Sequence, residues 1–338
     1  MNAIIGGKAP AALVPRQLTV DAESAGQRLD NFLLRHLKGV PKTHVYRIIR
    51  SGEVRINKGR TRADARVAEG DQVRLPPVRV ADAAAAPPAA PAREFPILLE
   101  DDWLIALNKP AGVAVHGGSG VSFGVIEQLR RARPEAKFLE LVHRLDRDTS
   151  GILLVAKRRS ALTALQQQFR ERVTGKTYLA LVIGTWPARL KVIDAPLHKF
   201  LQPDGERRVR TTTTEDPDGM RAITLVRQRS VLAARHAQGL PAMSLLEVTI
   251  KTGRTHQIRV HLASQGHAIV GDEKYGDFDL NRRLRKLGLS RMFLHAWRLQ
   301  LDHPVTGERV ELQAELPPEL AAYTDAAPPC PPLPAAST

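Results

Sequence analysis

An aspartate held between arginines is the first arrangement in this chain that could do chemistry. In HRLDRDTSG (143–151), Asp146 lies between Arg144 and Arg147, with His143 and Asp148 close by. Two hydroxyl residues and a glycine follow, then the apolar run 152–156. One carboxylate in so much positive charge has two readings. Either it caps a turn and pairs with Arg147 while the arginines solvate a loop, or it must stay ionised beside a polyanion. A second dense stretch is KTGRTHQIRVHLASQGH (251–267), where Arg254, His256, Arg259 and His261 fall within eight residues. Two histidines could hold a metal. They stand five apart, however, with no carboxylate at a convincing spacing, which argues against zinc. GKTYLALV (175–182) places Tyr178 at the mouth of an apolar strand, where a tyrosine is more often core than catalytic. HGGSG (116–120) lacks the GK[ST] ending and a helix directly after it, which argues against a phosphate loop for nucleotides.

These side chains need elements to position them. A strand over 138–142 runs into the charged turn and another over 152–156 leaves it, so the backbone of Asp146 is held at both ends. Upstream, 97–99 and 104–107 read as paired strands around the acidic turn 100–102, and Asn108, Lys109 and Pro110 end the second. Glycines at 112, 117, 118 and 120 let the backbone approach something closely.

Composition narrows the classes of partner. The chain has 338 residues, enough for one large domain and a small one. Fifty Lys and Arg against 35 Asp and Glu give a net charge of +15, which favours an acidic partner, nucleic acid first. There is no apolar run of about 18 residues and no signal-peptide pattern at the start, so the expected compartment is the cytoplasm and no membrane partner is expected. The single cysteine, Cys330, excludes an intramolecular disulfide and a cysteine metal cluster.

The chain breaks at VADAAAAPPAAPAR (80–93), rich in Ala and Pro, which reads as a semi-stiff linker. A similar tail, AAPPCPPLPAAST, begins at Ala326. Five segments follow: a flexible tail over 1–17, a basic domain over 18–78, the linker over 79–94, a large domain over 95–322 and a tail over 323–338. In the small domain, Leu29, Phe32, Leu33 and Leu37 recur at helical spacing, and Gly39 stops the helix. Val45, Ile48 and Ile49 mark a second helix ending near Ser51 and Gly52. Val54 and Ile56 alternate as a short strand, and Gly70-Asp71 turns into a strand through Val73 and Leu75. From Arg28 to Arg74 there are twelve Lys/Arg and five Asp/Glu, so about half of the whole excess lies here. Arg35, Lys42, Arg47, Arg50 and Arg55 recur along this unit and are candidate phosphate contacts, against the alternative of a merely solvated surface.

RLDNFL (28–33), PKTHVYRIIRSGEVRIN (41–57) and EGDQVRL (69–75) make the small domain resemble an S4 RNA-binding domain, which implies contact with structured RNA. LNKPAGVAVHGG (107–118), HRLDRDTSGILLVAK (143–157), KTYLALV (176–182) and TGRTHQIRVHLA (252–263) follow in order. LHA at 294–296 and His303-Pro304 complete the set. Together they closely resemble the RluA-type pseudouridine synthases. AGQRLDNFL, KGVPK, PPVRVA and RPEAKFLELVHRLDRDTSG look in particular like the members that act on large-subunit ribosomal RNA.

The resemblance implies an α+β fold: a catalytic domain with a mixed, mostly antiparallel sheet, plus the small N-terminal S4-like domain. It implies an isomerase that converts uridine in RNA to pseudouridine. Asp146 stands at the family's essential aspartate, Tyr178 at the tyrosine that packs on the target base, and Arg259 at the arginine that pairs with the aspartate. Arg144 stands where an arginine holds the flipped nucleotide's place. His116 and Arg254 are further RNA-contact candidates. A buried arginine partner favours the ionised carboxylate beside RNA phosphate. The reaction gains and loses no net atoms, so no cofactor and no metal are expected. The expected partner is ribosomal RNA of the large subunit or its assembly precursor, and the expected state is a monomer. A synthase for transfer RNA or another RNA, and a non-catalytic RNA-binding assembly factor, are the alternatives. A hydrolase releasing free uracil is a weaker rival.

Overall fold

The computed structural model describes residues 15–22, 24–37, 40–78, 90–118, 123–203 and 205–324. The expected helix stop at Gly39, positions 79–89 of the expected linker, and most of both expected tails lie outside them. The chain divides into two units after Ala89.

The first unit contains β1 (Arg16–Thr19), α1 (Leu29–His36), α2 (Lys42–Arg50), β2 (Arg55–Ile56), β3 (Gly59–Arg60) and β4 (Gln72–Leu75). Its sheet runs β1-β4-β2-β3. The helical spacing seen in the sequence is a core-facing stripe: Leu29, Phe32 and Leu33 of α1 and Val45, Ile48 and Ile49 of α2 are buried together with Val54 and Val73. Strand β1 begins two residues ahead of the expected domain start at 18. It pairs antiparallel with β4, Leu18 opposite Val73. Only Leu18 along it packs on the core, so its alternation is too short to read locally. Asn57 and Lys58 both take positive φ (48° and 68°) in the tight turn joining β2 to β3.

The second unit opens with β5 (Ile97–Glu100), β6 (Leu104–Lys109), α3 (Val125–Ala132), β7 (Glu140–Leu141), β8 (Ser150–Ala156), α4 (Arg159–Glu171) and β9 (Gly175–Ile183). Then come β10 (Val192–Asp194), the hairpin β11 (Leu197–Leu201) and β12 (Arg207–Thr211), β13 (Ile223–Leu232) and β14 (Met243–Ile250). The unit closes with α5 (Gln257–Ser264), α6 (Phe278–Lys286), β15 (Leu294–Asp302), β16 (Arg309–Gln313) and α7 (Pro318–Ala321). The main sheet runs β10-β13-β14-β9-β15-β8-β6-β5, with β16 on β15 and β7 on β8. Its pairs are antiparallel except β8 with β15, so the fold is α+β with a mixed, mostly antiparallel sheet. No helix among the described residues is long and apolar enough to cross a membrane.

Strand β8 explains why 152–156 reads as a continuous apolar run. Ile152, Leu154 and Ala156 face α4 through Ala161, Leu162 and Leu165. Leu153 and Val155 face the other way, onto Val125, Ile126 and Leu129 of α3. A central strand covered on both faces has no solvent side, hence no alternation. Each of these larger side chains contributes roughly 1.5–3 kcal/mol of burial. The expected strand over 138–142 is shorter: only Glu140 and Leu141 pair with β8. Phe138 and Leu139 are buried but stand outside the ladder.

The single parallel pairing depends on one glycine. Gly151 (φ +107°) lies opposite Ala296, and a Cβ there would sit 2.2 Å from the Ala296 carbonyl oxygen. Two backbones therefore approach where the charged turn enters the sheet. Gly151→Ala is expected to destabilise the second unit by about 2 kcal/mol or more. Thermal unfolding of wild type and variant measures this; an unchanged midpoint would refute it.

Candidate active site

Asp146 sits in the loop from β7 to β8, and that loop is fixed mainly by side chains. Past the end of the β7–β8 ladder one more backbone bond forms, from the Val142 N–H to the Leu154 carbonyl at 3.0 Å. The N–H of Leu154 is then taken by His143 Nε2 at 3.1 Å. An imidazole thus replaces a backbone acceptor and lets the chain peel away. Burial pulls the pKa of His143 down to about 4, so the ring is neutral and can accept. It also stacks on Phe169, ring centroids 4.9 Å apart.

Further along, Lys109 is fully buried, and its Nζ donates to the carbonyls of Pro110 (2.8 Å), Val113 (2.8 Å) and Arg147 (3.0 Å). Three carbonyls match its three N–H bonds and tie the 109–113 turn to the Asp146 loop. Burial pulls its pKa down to about 7, against the opposing charges of Asp148 and Asp146. At the far end, His295 Nε2 lies 2.9 Å from the Ala314 carbonyl, which can only accept. Its Nδ1 therefore accepts from Ser150 Oγ at 2.8 Å, and Ser150 Oγ accepts from Arg291 Nη2 at 2.7 Å.

Arg259 reaches Asp146 from α5. Its Nη1 donates to Asp146 Oδ2 at 3.2 Å. The stronger partner is a residue the sequence did not suggest. Asp272, 1% exposed, takes Nε at 2.7 Å and Nη2 at 2.8 Å in a two-pronged pair. Burial lowers the Arg259 pKa, but Asp272 and Asp146 more than offset that, holding it above the ordinary value. Burial likewise raises Asp272, and Arg259 outweighs it, leaving this carboxyl below its usual range. The expected pair of Arg259 with Asp146 is present, and Asp272 is a second partner beside it. The charge of Arg259 is already balanced by Asp272, and what it offers Asp146 is a rigid N–H at fixed distance.

Helix α5 is itself pinned by Gln257. Its Oε1 accepts from Thr252 Oγ1 and Arg254 N, and its Nε2 donates to Ile223 O and Thr224 Oγ1. The other simple alternatives do not match the geometry. Arg147 pairs with Asp148 at 3.2 Å, not with Asp146. His261 has both ring nitrogens committed, to Thr224 and Ala195, so it shares no metal position with His256.

Asp146 lies in the wall between two cavities. One, of about 640 Å³, is lined by Tyr178, Phe169, Lys176, Ile258 and Leu294. The other is a larger groove of about 1520 Å³ whose lining carries both signs of charge, His116, Lys274 and Arg291 beside Asp148, Glu206, Glu273 and Glu319. Arg144, Arg254, His256 and Arg259 line both. Tyr178, on β9, is half-buried, and its hydroxyl pKa is pushed up, first by burial and then by the charge of Asp146. It therefore keeps its proton near neutral pH. The smaller cavity presents the Tyr178 ring and the Asp146 carboxylate among cations, with Arg144, Arg170, Arg172, Lys176, Lys251 and Arg254 in its lining, which suits an aromatic base carried on a phosphate backbone.

Of the candidate RNA contacts, Arg144, His116 and Arg254 converge here. Arg35, Lys42, Arg47, Arg50 and Arg55 all lie exposed on the first unit. There Arg50 joins Arg60 and Arg62 around a shallow depression, while the Arg55 guanidinium folds onto the carbonyls of Gly52 and Lys58. Sequence reasoning missed Asp272, Tyr275 and the roles of Lys109 and Arg291. The only signal for Asp272 was a charged residue one glycine beyond the buried pair Ile269 and Val270.

Comparison with known proteins agrees with this geometry. Residues 103–264 match the family model described as RNA pseudouridylate synthase, and residues 27–73 match the S4 domain. The chain belongs to the RNA pseudouridylate synthase family, and it is an isomerase that converts uridine in RNA to pseudouridine. It is 50% identical over 312 residues to "Ribosomal large subunit pseudouridine synthase C" of Haemophilus influenzae, covering 91% of this chain and 93% of that protein. It is also 50% identical over 306 residues to the protein of that name in Escherichia coli, covering 88% and 92%. Among solved structures it is similar to human RNA Pseudouridylate Synthase Domain Containing 1. There the TM-score is 0.55 at 28% identity, over 68% of this chain and 87% of that one. Human RNA Pseudouridylate Synthase Domain Containing 4 gives 0.52 at 27%, over 67% and 90%.

Two outcomes follow from the charges. Asp272→Asn removes the balance of Arg259 and weakens the fork that aims it. Turnover is expected to fall about 100-fold with RNA affinity within a few-fold. Single-turnover rates and filter binding separate the two, and an unchanged rate would show that Asp272 is dispensable. Burial holds His295 at about 4, below the ordinary 6.5. Between those values the unfolded chain binds a proton that the folded chain does not, so stability is lost as pH falls from 6.5 towards 4. From pH 6.5 to 5 this residue alone should remove up to about 2 kcal/mol. Urea unfolding at pH 7 and pH 5 measures the loss, and His295→Gln should show a smaller one.

Proposed function

We propose that this chain isomerises specific uridines of large-subunit ribosomal RNA to pseudouridine, with Asp146 as the essential carboxylate. The observation that supports the chemistry is the place of Asp146, in a cation-lined cavity that it shares with Tyr178 and Arg259. The substrate rests on the 50% identity to proteins named for the large ribosomal subunit.

In this reading the target uridine flips out of its stack, at a cost of a few kcal/mol, and its base enters the smaller cavity. Arg144 fills the vacated place, and Arg254, His116 and the groove cations meet the backbone. The N1–C1′ bond breaks, the uracil turns, and C5 bonds to C1′; the proton on C5 leaves and N1 ends protonated. No redox partner or external energy source is needed for that balance. Asp146 acts as nucleophile or base towards the ribose. Tyr178 stacks on the uracil and offers its protonated hydroxyl near C5 for the late proton step. The exposed arginines and lysine of the first unit add phosphate contacts, so binding weakens steeply with salt. The natural setting is the cytoplasm, where ribosomal RNA is assembled.

The test is a pseudouridine map of total RNA, by carbodiimide-dependent reverse-transcription stops, with and without this gene. Loss of discrete stops in large-subunit RNA, restored by wild type but not by Asp146→Asn, is the expected result. Loss confined to transfer RNA would overturn the substrate, and no loss anywhere would overturn the reaction. Purified Asp146→Asn should bind RNA within a few-fold of wild type. If it neither binds nor folds, Asp146 is structural.

A further inference from the structure

We propose that His256 is a positioning residue for Asp146: a neutral imidazole whose Nε2–H faces the carboxylate in one fixed tautomer, set by Tyr275 and the β11–β12 hairpin. The inference rests on Asp146 being the essential carboxylate.

The tautomer follows from a chain of donors. The N–H of Val209, on β12, donates to Tyr275 Oη at 3.1 Å. Tyr275 Oη also lies 2.8 Å from His256 Nδ1, and among the described residues its hydroxyl meets no other acceptor. The hydroxyl proton therefore goes to Nδ1, which must be bare, and Nε2 carries the ring proton. Tyr275 can play this part because burial first, and Asp272 after it, hold its pKa above the ordinary value, so its proton stays on. Burial also lowers His256. Asp146 and Asp272 oppose that, while Arg259 and Lys274 reinforce it. The ring is neutral at physiological pH.

Its placement is costly and specific. His256 adopts a left-handed backbone (φ 53°) directly before α5, which a non-glycine residue rarely does. That conformation brings Nε2 to 4.0 Å from Asp146 Oδ2, the same oxygen that accepts from Arg259. At 4.0 Å there is no hydrogen bond yet; a shift of about 1 Å makes one. Oδ2 therefore has an arginine N–H bonded and an imidazole N–H waiting. Oδ1 accepts no hydrogen bond among the described residues and is the oxygen free for the substrate. The far end of the chain is anchored as well. Lys274 Nζ donates to Arg207 O at 2.6 Å, and Arg208 Nη1 to Lys274 O at 3.3 Å. The hairpin must be seated for Tyr275 to hold the ring.

The test uses full-length enzyme and a large-subunit RNA transcript carrying [5-³H]uridine, whose tritium is released when C5 bonds to C1′. Single-turnover rates and RNA affinity are measured for His256→Leu, His256→Gln and Tyr275→Phe, with Asp146→Asn in parallel. His256→Leu should lower the rate at saturating enzyme by about 10- to 100-fold, with affinity within about three-fold. His256→Gln, whose amide can both accept from Tyr275 and donate, should recover most of that loss. Tyr275→Phe should fall between. A wild-type rate in His256→Leu, a loss in affinity that matches the loss in rate, or a glutamine as impaired as leucine would each overturn the proposal. Should the leucine variant fail to fold, imidazole ¹⁵N shifts of the wild-type enzyme decide. Protonated Nε2 with bare Nδ1 supports the assignment, and the opposite tautomer ends it. Turnover by Asp146→Asn would instead overturn the reading of Asp146, whatever His256 does.

Discussion

Arg259 stands between two carboxylates, and the rest of the site depends on how it divides itself. Two of its nitrogens are locked on buried Asp272, and one is left for Asp146. A lone buried guanidinium would be costly, and one paired only with Asp146 would lose its partner whenever that carboxylate moved or reacted. With Asp272 as permanent counter-ion, Arg259 stays in place while Asp146 exchanges partners. The Asp146 side chain is 28% exposed and that of Asp272 1%, which fits the proposed division between a working and a structural carboxylate.

The loop that carries Asp146 obeys the same logic. It turns away from a sheet, so its backbone groups lose their ladder partners. Side chains take over: His143 of the loop itself accepts from the Leu154 amide of β8, and Lys109 donates to the Arg147 carbonyl while also binding those of Pro110 and Val113. Ser150 closes the loop through His295 and Arg291. Buried polar groups of this kind are stabilising only when fully paired, and here each has its partner. The parallel pairing at Gly151 and Ala296 brings β15, and so His295, against the loop's end.

Asp146, Tyr178 and Arg259 line one cavity together with Arg144 and Arg254. In the proposed reaction a uridine meets them only after it leaves its stack. The hairpin β11–β12 adds a link between the groove side and the carboxylate through Tyr275.

The sequence by itself determined the class of chemistry and the local elements. Leu29, Phe32 and Leu33 at helical spacing, and the unbroken apolar run of β8, are local patterns, and the core uses them as read. HRLDRDTSG and GRTHQIR pointed to Asp146 and Arg259 through their resemblance to a known family, where spacing alone left Asp146 open to a turn-capping role. Only the tertiary structure decided what those residues touch. That Asp272 takes the larger share of Arg259, that Lys109 ties the Asp146 loop to the 109–113 turn, and that Val209, Tyr275 and His256 form one run are set by how helix, loops and hairpin pack together. No local pattern of charge or hydrophobicity encodes which buried donor will meet which acceptor. The short strands β1 and β7 were illegible or misjudged for the same reason: their pairing is a property of a partner strand, not of their own few residues.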